Sequence, residues 1–428
     1  MLVAGADSGQ NDSLYRPWQV KILLATWLAY AGYYFCRKPF YVTKVSISGA
    51  LGIDSFGLAQ LGTAYLAAYM VGQFSSAFFG RTLGPRLLLL AGIMISIVST
   101  FLFGVSNSLW TIMLFMSLNG LAQGTGWPGC IGSLAFWFRR KQRGSVLGLW
   151  STCYQLGPVL ATLLASYLLG NAGWRWSFFG GSMVLLVVWF TVLLVHPNRP
   201  EDAGLEPLHD EDELPDTPPA GSGKKLGWDR EVVLTIMMMG LIYFCIKFLR
   251  YALWSWLPWF LNRNFYLSEA EAGYLSTVFD VCGFAGVIAA GFLSDRIFKG
   301  KRAMLSFVML ALMTGSFFIL YFLGSANLTV FTVSIAVAGF MLFGPDSLLS
   351  GVGAIDVGSK EGALSAAGII NGMGSIGPIF QEQLVGWMYR RYNHDLLPIL
   401  VMLVAVAAVS AVLTLMLWIR SRRGLANV

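Results

Sequence analysis

Two arginines, Arg37 and Arg250, stand in the most apolar parts of this 428-residue chain, 213 positions apart. A guanidinium stays charged at any pH the protein meets. Placing one mid-helix in a bilayer costs roughly 2.5–3.5 kcal/mol even on the lenient insertion scale. Around the first the chain reads YAGYYFCRKPF, and around the second YFCIKFLRYALW. Tyr30, Tyr34 and Arg37 are spaced by four and three and share a helix face. Lys247 and Arg250, three apart, share another. The planar fork of arginine matches two phosphate oxygens, tyrosine hydroxyls donate further bonds, and lysine adds a point charge. That is the chemistry of an oxyanion site; a halide would need no fork. Equivalent points in two halves predict one central anion site. The competing reading is that the cations snorkel to an interface. It weighs most for Lys38, which adjoins Arg37 and cannot face the same way.

Acid placement sharpens the expectation. No Asp or Glu occurs between Asp54 and Glu201, so the counter-charge of Arg37 must come from a ligand or from the other half. In the second half Asp280, Asp346 and Glu382 are the candidate charge partners. Asp280, deep in its apolar run, is expected on Lys247 or Arg250. Asp346 and Glu382 also fit solvated positions near helix ends.

The elements that position these residues are long and apolar. The chain is 56% hydrophobic and 12% charged, where a soluble domain has about 25% charged residues. Twelve runs of spanning length recur, at about 19–42, 57–80, 86–104, 108–136, 143–169, 176–195, 231–260, 269–294, 303–323, 328–354, 361–389 and 396–419. The fold expected is an all-α membrane protein of twelve transmembrane helices in two six-helix bundles, 1–195 and 231–428. The stretch 196–230, rich in Pro, Gly and acid, reads as a flexible linker. With both termini cytoplasmic, the cytoplasmic ends hold far more Lys and Arg than the opposite ends, as the positive-inside rule requires.

Several function classes fall away. The net charge of +7 is scattered over short loops, unlike a nucleic-acid patch. Five cysteines without a CxxC give no disulfide framework. His196, His209 and His394 fall in or near loops, so no metal site or cofactor is expected. GSGKK in the linker lacks P-loop spacing. No nucleophile, base and orienter cluster marks an enzyme. The N-terminus lacks a cleavable signal pattern.

The halves repeat. AFFGRTLGPR (77–86) and GFLSDRIFKGKR (291–302) follow corresponding runs, with Ala77 and Gly291 214 apart, and LGP (156–158) answers IGP (376–378). Parallel repeats with a site at their interface suit a rocking carrier. In GFLSDR, Gly291 allows close helix approach, while Asp295 and Arg296 can cap helix ends and pair across a cytoplasmic turn as a gate. The first copy has Arg81 where the second has Asp295.

YYFCRK, NGLAQGTGWP (119–128), FLRYALWSWLP (249–258) and GFLSDRIFKGKR together resemble the organophosphate:phosphate antiporters of the major facilitator superfamily, over nearly the whole chain outside the linker. That group includes glycerol-3-phosphate and hexose-phosphate transporters and eukaryotic sugar-phosphate exchangers. The resemblance implies that Arg37 and Arg250 bind phosphate, that Tyr30, Tyr34 and Tyr69 line the pathway, and that Trp127 stands on the fourth helix. Three positions depart from the family pattern. Tyr154 stands where the glycerol-3-phosphate transporter has a substrate-contacting histidine, and Gln73 where it has a lysine. Lys247, like a lysine of the eukaryotic exchangers, here accompanies an arginine.

The expected function is exchange of an organic phosphate monoester, of sugar-phosphate or glycerol-3-phosphate type, for inorganic phosphate. The partners are that substrate, phosphate and the lipid bilayer, with a monomer in a bacterial cytoplasmic (inner) membrane. Two alternatives stay open: a non-transporting membrane sensor of hexose phosphate, and a proton-coupled organic-anion symporter using Asp280 or Glu382.

Overall fold

The computed structural model describes residues 7–208, 230–298, 301–324, 327–349, 353–393 and 395–423. Most of the linker, with His209 and His394, lies outside them, as do the side chains of Arg81 and Asp295. Every regular element among the described residues is helical: α1 (Asp7–Phe35), α2 (Lys38–Val42), α3 (Lys44–Leu51), α4 (Ser55–Val105), α5 (Leu109–Gln123), α6 (Gly126–Trp137), α7 (Arg140–Trp150), α8 (Cys153–Ala172), α9 (Trp174–Val195), a 3-10 turn at Pro200–Ala203, α10 (Arg230–Phe265), α11 (Glu269–Arg296), α12 (Arg302–Leu323), α13 (Leu328–Ser347), α14 (Gly353–Arg391) and α15 (Leu397–Arg422). Among the described residues, eight stretches are long and apolar enough to cross a membrane: Leu83–Val105, Val146–Ala172, Trp174–Val195, Arg230–Phe265, Glu269–Ser294, Arg302–Leu323, Leu328–Ser347 and Leu397–Arg422.

Local chemistry fixes the ends. Ser268 caps α11 by accepting from Glu271 N while the Glu271 carboxylate accepts from Ser268 N, the reciprocal box that Ser-x-x-Glu specifies. Asn327 Oδ1 caps α13 by accepting from Thr329 N and Val330 N. Inside α4 the chain turns at Gly84, whose φ of +74° suits glycine. A Cβ there would stand 2.8 Å from Asn198 Nδ2, and Asn198 Oδ1 accepts from Arg86 N beyond the turn.

Three predicted single spans are interrupted, each for a readable reason. The first run breaks between Phe35 and Lys38. Pro39 has no N–H for the Phe35 carbonyl and crowds that turn. The fourth breaks at Gly124–Thr125, ahead of Pro128. The fifth breaks at Ser151–Thr152, where the hydroxyls bond back to Gly148 O and Leu149 O and compete with the helix.

The chain forms two compact units: the described residues of Met1–Phe40 with Ala64–Gly223, and Tyr41–Thr63 with the described residues of Lys224–Val428. In the first, α1 packs on α6, α8 and α9. In the second, α10 packs on α14, α11 on α13, and α12 on α13 and α15. Segment 41–63, continuous in sequence with the first bundle, therefore belongs spatially to the second.

Candidate functional site

In the first unit the break after α1 interrupts the helical bonding, and backbone and side-chain donors together satisfy the carbonyls there. Cys36 N and Arg37 N bond back three residues, to Tyr33 O and Tyr34 O. The Phe35 carbonyl lies against Gly181, where a Cβ would come within 2.0 Å of it. Two amides one turn apart on α5 also reach carbonyls of this break. Asn119 Nδ2 donates to Cys36 O at 2.9 Å, and Gln123 Nε2 to Tyr33 O at 3.1 Å. Ser96 Oγ and Gln123 Nε2 both donate to Asn119 Oδ1.

This network holds Arg37. Gln123 Oε1 accepts from Arg37 Nε at 2.9 Å and from Tyr65 OH at 2.8 Å. The guanidinium carbon lies 5.1 Å from the Tyr34 and Tyr69 ring centres and 5.4 Å from that of Tyr65, within cation–π range. Arg37 is 7% exposed, so it does not reach out to solvent. Tyr30, also buried, packs edge-on against Tyr34, Trp150 and Tyr154, at 5.9, 5.4 and 4.9 Å. Tyr69 stacks on Tyr65 and its hydroxyl accepts from Gln73 Nε2. The breaks near Arg37, Gln123 and Tyr154 thus occur on the helices that carry this cluster. Irregular backbone at membrane depth is tolerated where it is buried in protein or lines a cavity.

In the second unit Arg250 and Lys247 project from consecutive turns of α10. Arg250 Nη1 lies 2.5 Å from Asp346 Oδ2 on α13, and its guanidinium covers the Phe343 ring at 4.3 Å, one turn before Asp346. Lys247 Nζ donates to Asn371 Oδ1 at 2.8 Å and Ser375 Oγ at 3.4 Å on α14, and stands 4.8 Å from the Tyr243 ring centre. Asp280 accepts from Trp254 Nε1 at 3.3 Å. Asp346 thus places a carboxylate on Arg250.

A second ion pair lies in this unit. Lys44 Nζ is 2.7 Å from Glu382 Oε1, with side-chain exposures of 0% and 1%. Ser255 Oγ also donates to Oε1, and Trp256 Nε1 to Oε2. Glu382 is therefore not the solvated residue near a helix end that its place in the sequence also fits.

Lys38 is buried at 4% exposure. Trp127 is 46% exposed and makes no aromatic contact with the Arg37 cluster among the described residues. Arg296 covers the Phe292 ring at 5.1 Å on its own helix, and Gly291 has open space where a Cβ would stand. Sequence reasoning missed Asn119, Gln123, Tyr65, Asn371 and Lys44 as members of these networks. Asn119 and Gln123 carried a signal: two amides at i and i+4 in an apolar helix need partners.

The Major Facilitator Superfamily pattern matches residues 22–381 and 239–427. The chain belongs to the Major Facilitator Superfamily. Among its relatives, the glycerol-3-phosphate transporter of Bacillus subtilis (strain 168) is 27% identical over 91% of this chain and 90% of its own length. The glucose-6-phosphate exchanger of Mus musculus is 29% identical over 88% and 87%, and a membrane sensor protein of Salmonella typhimurium is 29% identical over 89% and 87%. The crystal structure of a bacterial homologue of the human lysosomal transporter Spinster, inward-facing and unoccupied, superposes with a TM-score of 0.75 at 18% identity, covering 95% of this chain and 97% of that one. This facilitator is an integral, multi-pass membrane protein and not an enzyme.

Proposed function

We propose that this facilitator exchanges an organic phosphate monoester for inorganic phosphate by alternating access. The observation that carries the reading is the mounting of Arg37. A buried guanidinium oriented through Nε by Gln123 and ringed by Tyr34, Tyr65 and Tyr69 has the planar geometry that suits two phosphate oxygens. Arg250 and Lys247 supply the corresponding cations of the second half. The kinship with transporters of glycerol-3-phosphate and an exchanger of glucose-6-phosphate supports the substrate class. In this reading twelve helices span a bacterial cytoplasmic membrane, both termini are cytoplasmic, and the chain works as a monomer. Tyr30, Tyr69, Trp127 and Tyr154 line the path, and Gly291, Asp295 and Arg296 form the cytoplasmic gate.

Counterflow in proteoliposomes tests it. Efflux of labelled phosphate needs external phosphate or an organic phosphate, and a panel of glycerol-3-phosphate, glucose-6-phosphate and phosphoglycerate ranks the esters. Rapid net uniport into phosphate-free buffer refutes exchange. Likeness to a membrane sensor gives a second reading, and saturable phosphate binding without flux selects it. Glu382 is already bonded to Lys44, Ser255 and Trp256, a structural engagement that leaves Asp280 as the carboxylate a symport reading would use.

A further inference from the structure

The second unit contains an anion where the exchanger reading needs a ligand. Arg250 is gripped at its edge by Asp346 and on its face by Phe343, both from one face of α13. The exposures of 20% and 10% in this pair contrast with the sealed Lys44–Glu382 pair of the same unit. One pair is closed to solvent; the other is less completely covered. One turn away, Lys247 is held by neutral oxygens of Asn371 and Ser375, so its charge remains uncompensated by those partners.

We propose that Asp346 is the resident anion of Arg250, displaced when a doubly charged phosphate binds, and that this competition sets the charge selectivity of the carrier. The inference rests on the exchange reading and adds a specificity residue to it. An incoming monoanion would exchange one negative charge on Arg250 for another, and would forfeit the Arg250–Asp346 ion pair. Breaking such a pair is costly unless something replaces it. A phosphate dianion brings twice the charge, matches the guanidinium with two oxygens, and has further oxygens for the Lys247 ammonium. Asp346 therefore raises the threshold for every anion and rejects those with a single charge. Selectivity arises from a built-in competitor as well as from attraction.

The test uses the full-length protein purified in detergent, with Asp346→Asn as the variant. The amide keeps the shape and one oxygen acceptor for Arg250 but removes the charge. Binding of inorganic phosphate at pH 8 is compared with binding of dimethyl phosphate, a tetrahedral phosphate restricted to one negative charge. The wild type binds phosphate and discriminates against dimethyl phosphate. Asp346→Asn binds phosphate about tenfold more tightly, on the order of one salt-bridge competition, and its preference over dimethyl phosphate narrows by at least about tenfold. Asp346→Glu retains the charge and most of the discrimination, and Asp346→Ser, a second neutral variant, repeats the result if the asparagine protein does not fold. A purely structural role for Asp346 would weaken both ligands together and leave their ratio unchanged, which overturns the proposal. Normal wild-type binding with unaltered affinity and ratio in the neutral variants also overturns it, and leaves the exchange reading intact. Failure of the wild type to bind phosphate at all removes both.

Discussion

The Lys44 ammonium sits 2.7 Å from Glu382 Oε1 and 3.6 Å from the Trp256 ring centre, in a pocket closed to solvent. Lys44 also donates to Ser255 Oγ at 2.8 Å. The carboxylate lies so close to Gly62 that a Cβ there would meet Oε1 at 2.6 Å. Segment 41–63 is thereby fastened to α10 and α14 by a charge pair and by close backbone packing. A buried pair of this kind adds little over an apolar pair of equal volume, but removing one member leaves an uncompensated charge.

Glu382→Gln is therefore expected to destabilise the protein by about 3–5 kcal/mol, read as a fall in thermal midpoint in detergent. The combined change Lys44→Met with Glu382→Leu recovers most of that loss, because no ion is stranded. A double-mutant cycle with no coupling between the two positions would refute the pairing.

Gln123 governs Arg37 without carrying charge. Gln123→Leu removes the acceptor of both Arg37 Nε and Tyr65 OH. A hydrogen bond to a charged group contributes about 1.5–3 kcal/mol, so phosphate affinity is expected to fall roughly 10- to 100-fold. Gln123→Glu sets a carboxylate on the guanidinium and abolishes phosphate binding while the protein folds. Calorimetric titration with phosphate checks both variants.

Arg37→Lys and Arg250→Lys each keep the charge and lose the fork. Transport is expected to fall at least about 10- to 100-fold in each, with normal yield and monodisperse elution. Undiminished phosphate counterflow in either variant would eliminate the bidentate grip at that position.

His196 stands one residue past Trp174–Val195, buried at 1% exposure, with Nε2 at 2.9 Å from Ser133 Oγ. Burial, the larger cause, and the Arg86 charge hold its imidazole at about 4, below the ordinary 6.5. The unfolded chain takes up a proton near 6.5, which the folded chain refuses until about 4. The stabilising contribution is complete above pH 6.5 and is lost as pH falls toward 4, to a total of about 3 kcal/mol. The thermal midpoint should drop between pH 7.5 and pH 5, and His196→Gln should flatten that dependence.

The sequence by itself determined the class of the fold and which residues are out of place in it. Long apolar runs need no partner to be recognised, because a bilayer demands that each span satisfy its own backbone. The face shared by Tyr30, Tyr34 and Arg37 was legible for a similar reason, since side chains three and four apart on a helix are neighbours whatever surrounds them. Even the interruptions had local marks in Pro39, Pro128 and the Ser151–Thr152 pair.

Only the tertiary structure decided which charge meets which. Asp280 reads from the sequence as the acid for Lys247 or Arg250 and Asp346 as one near a helix end, yet the packing of α10 against α13 put Asp346 on Arg250, while Asp280 accepts from the Trp254 indole. Lys44 and Glu382 meet across 338 positions, and Arg37 and Gln123 across 86. Periodicity fixes the face of a helix on which a residue stands. The rotation and depth at which two helices pack are set by many side chains together, down to glycines such as Gly62 and Gly181 that let one chain approach another.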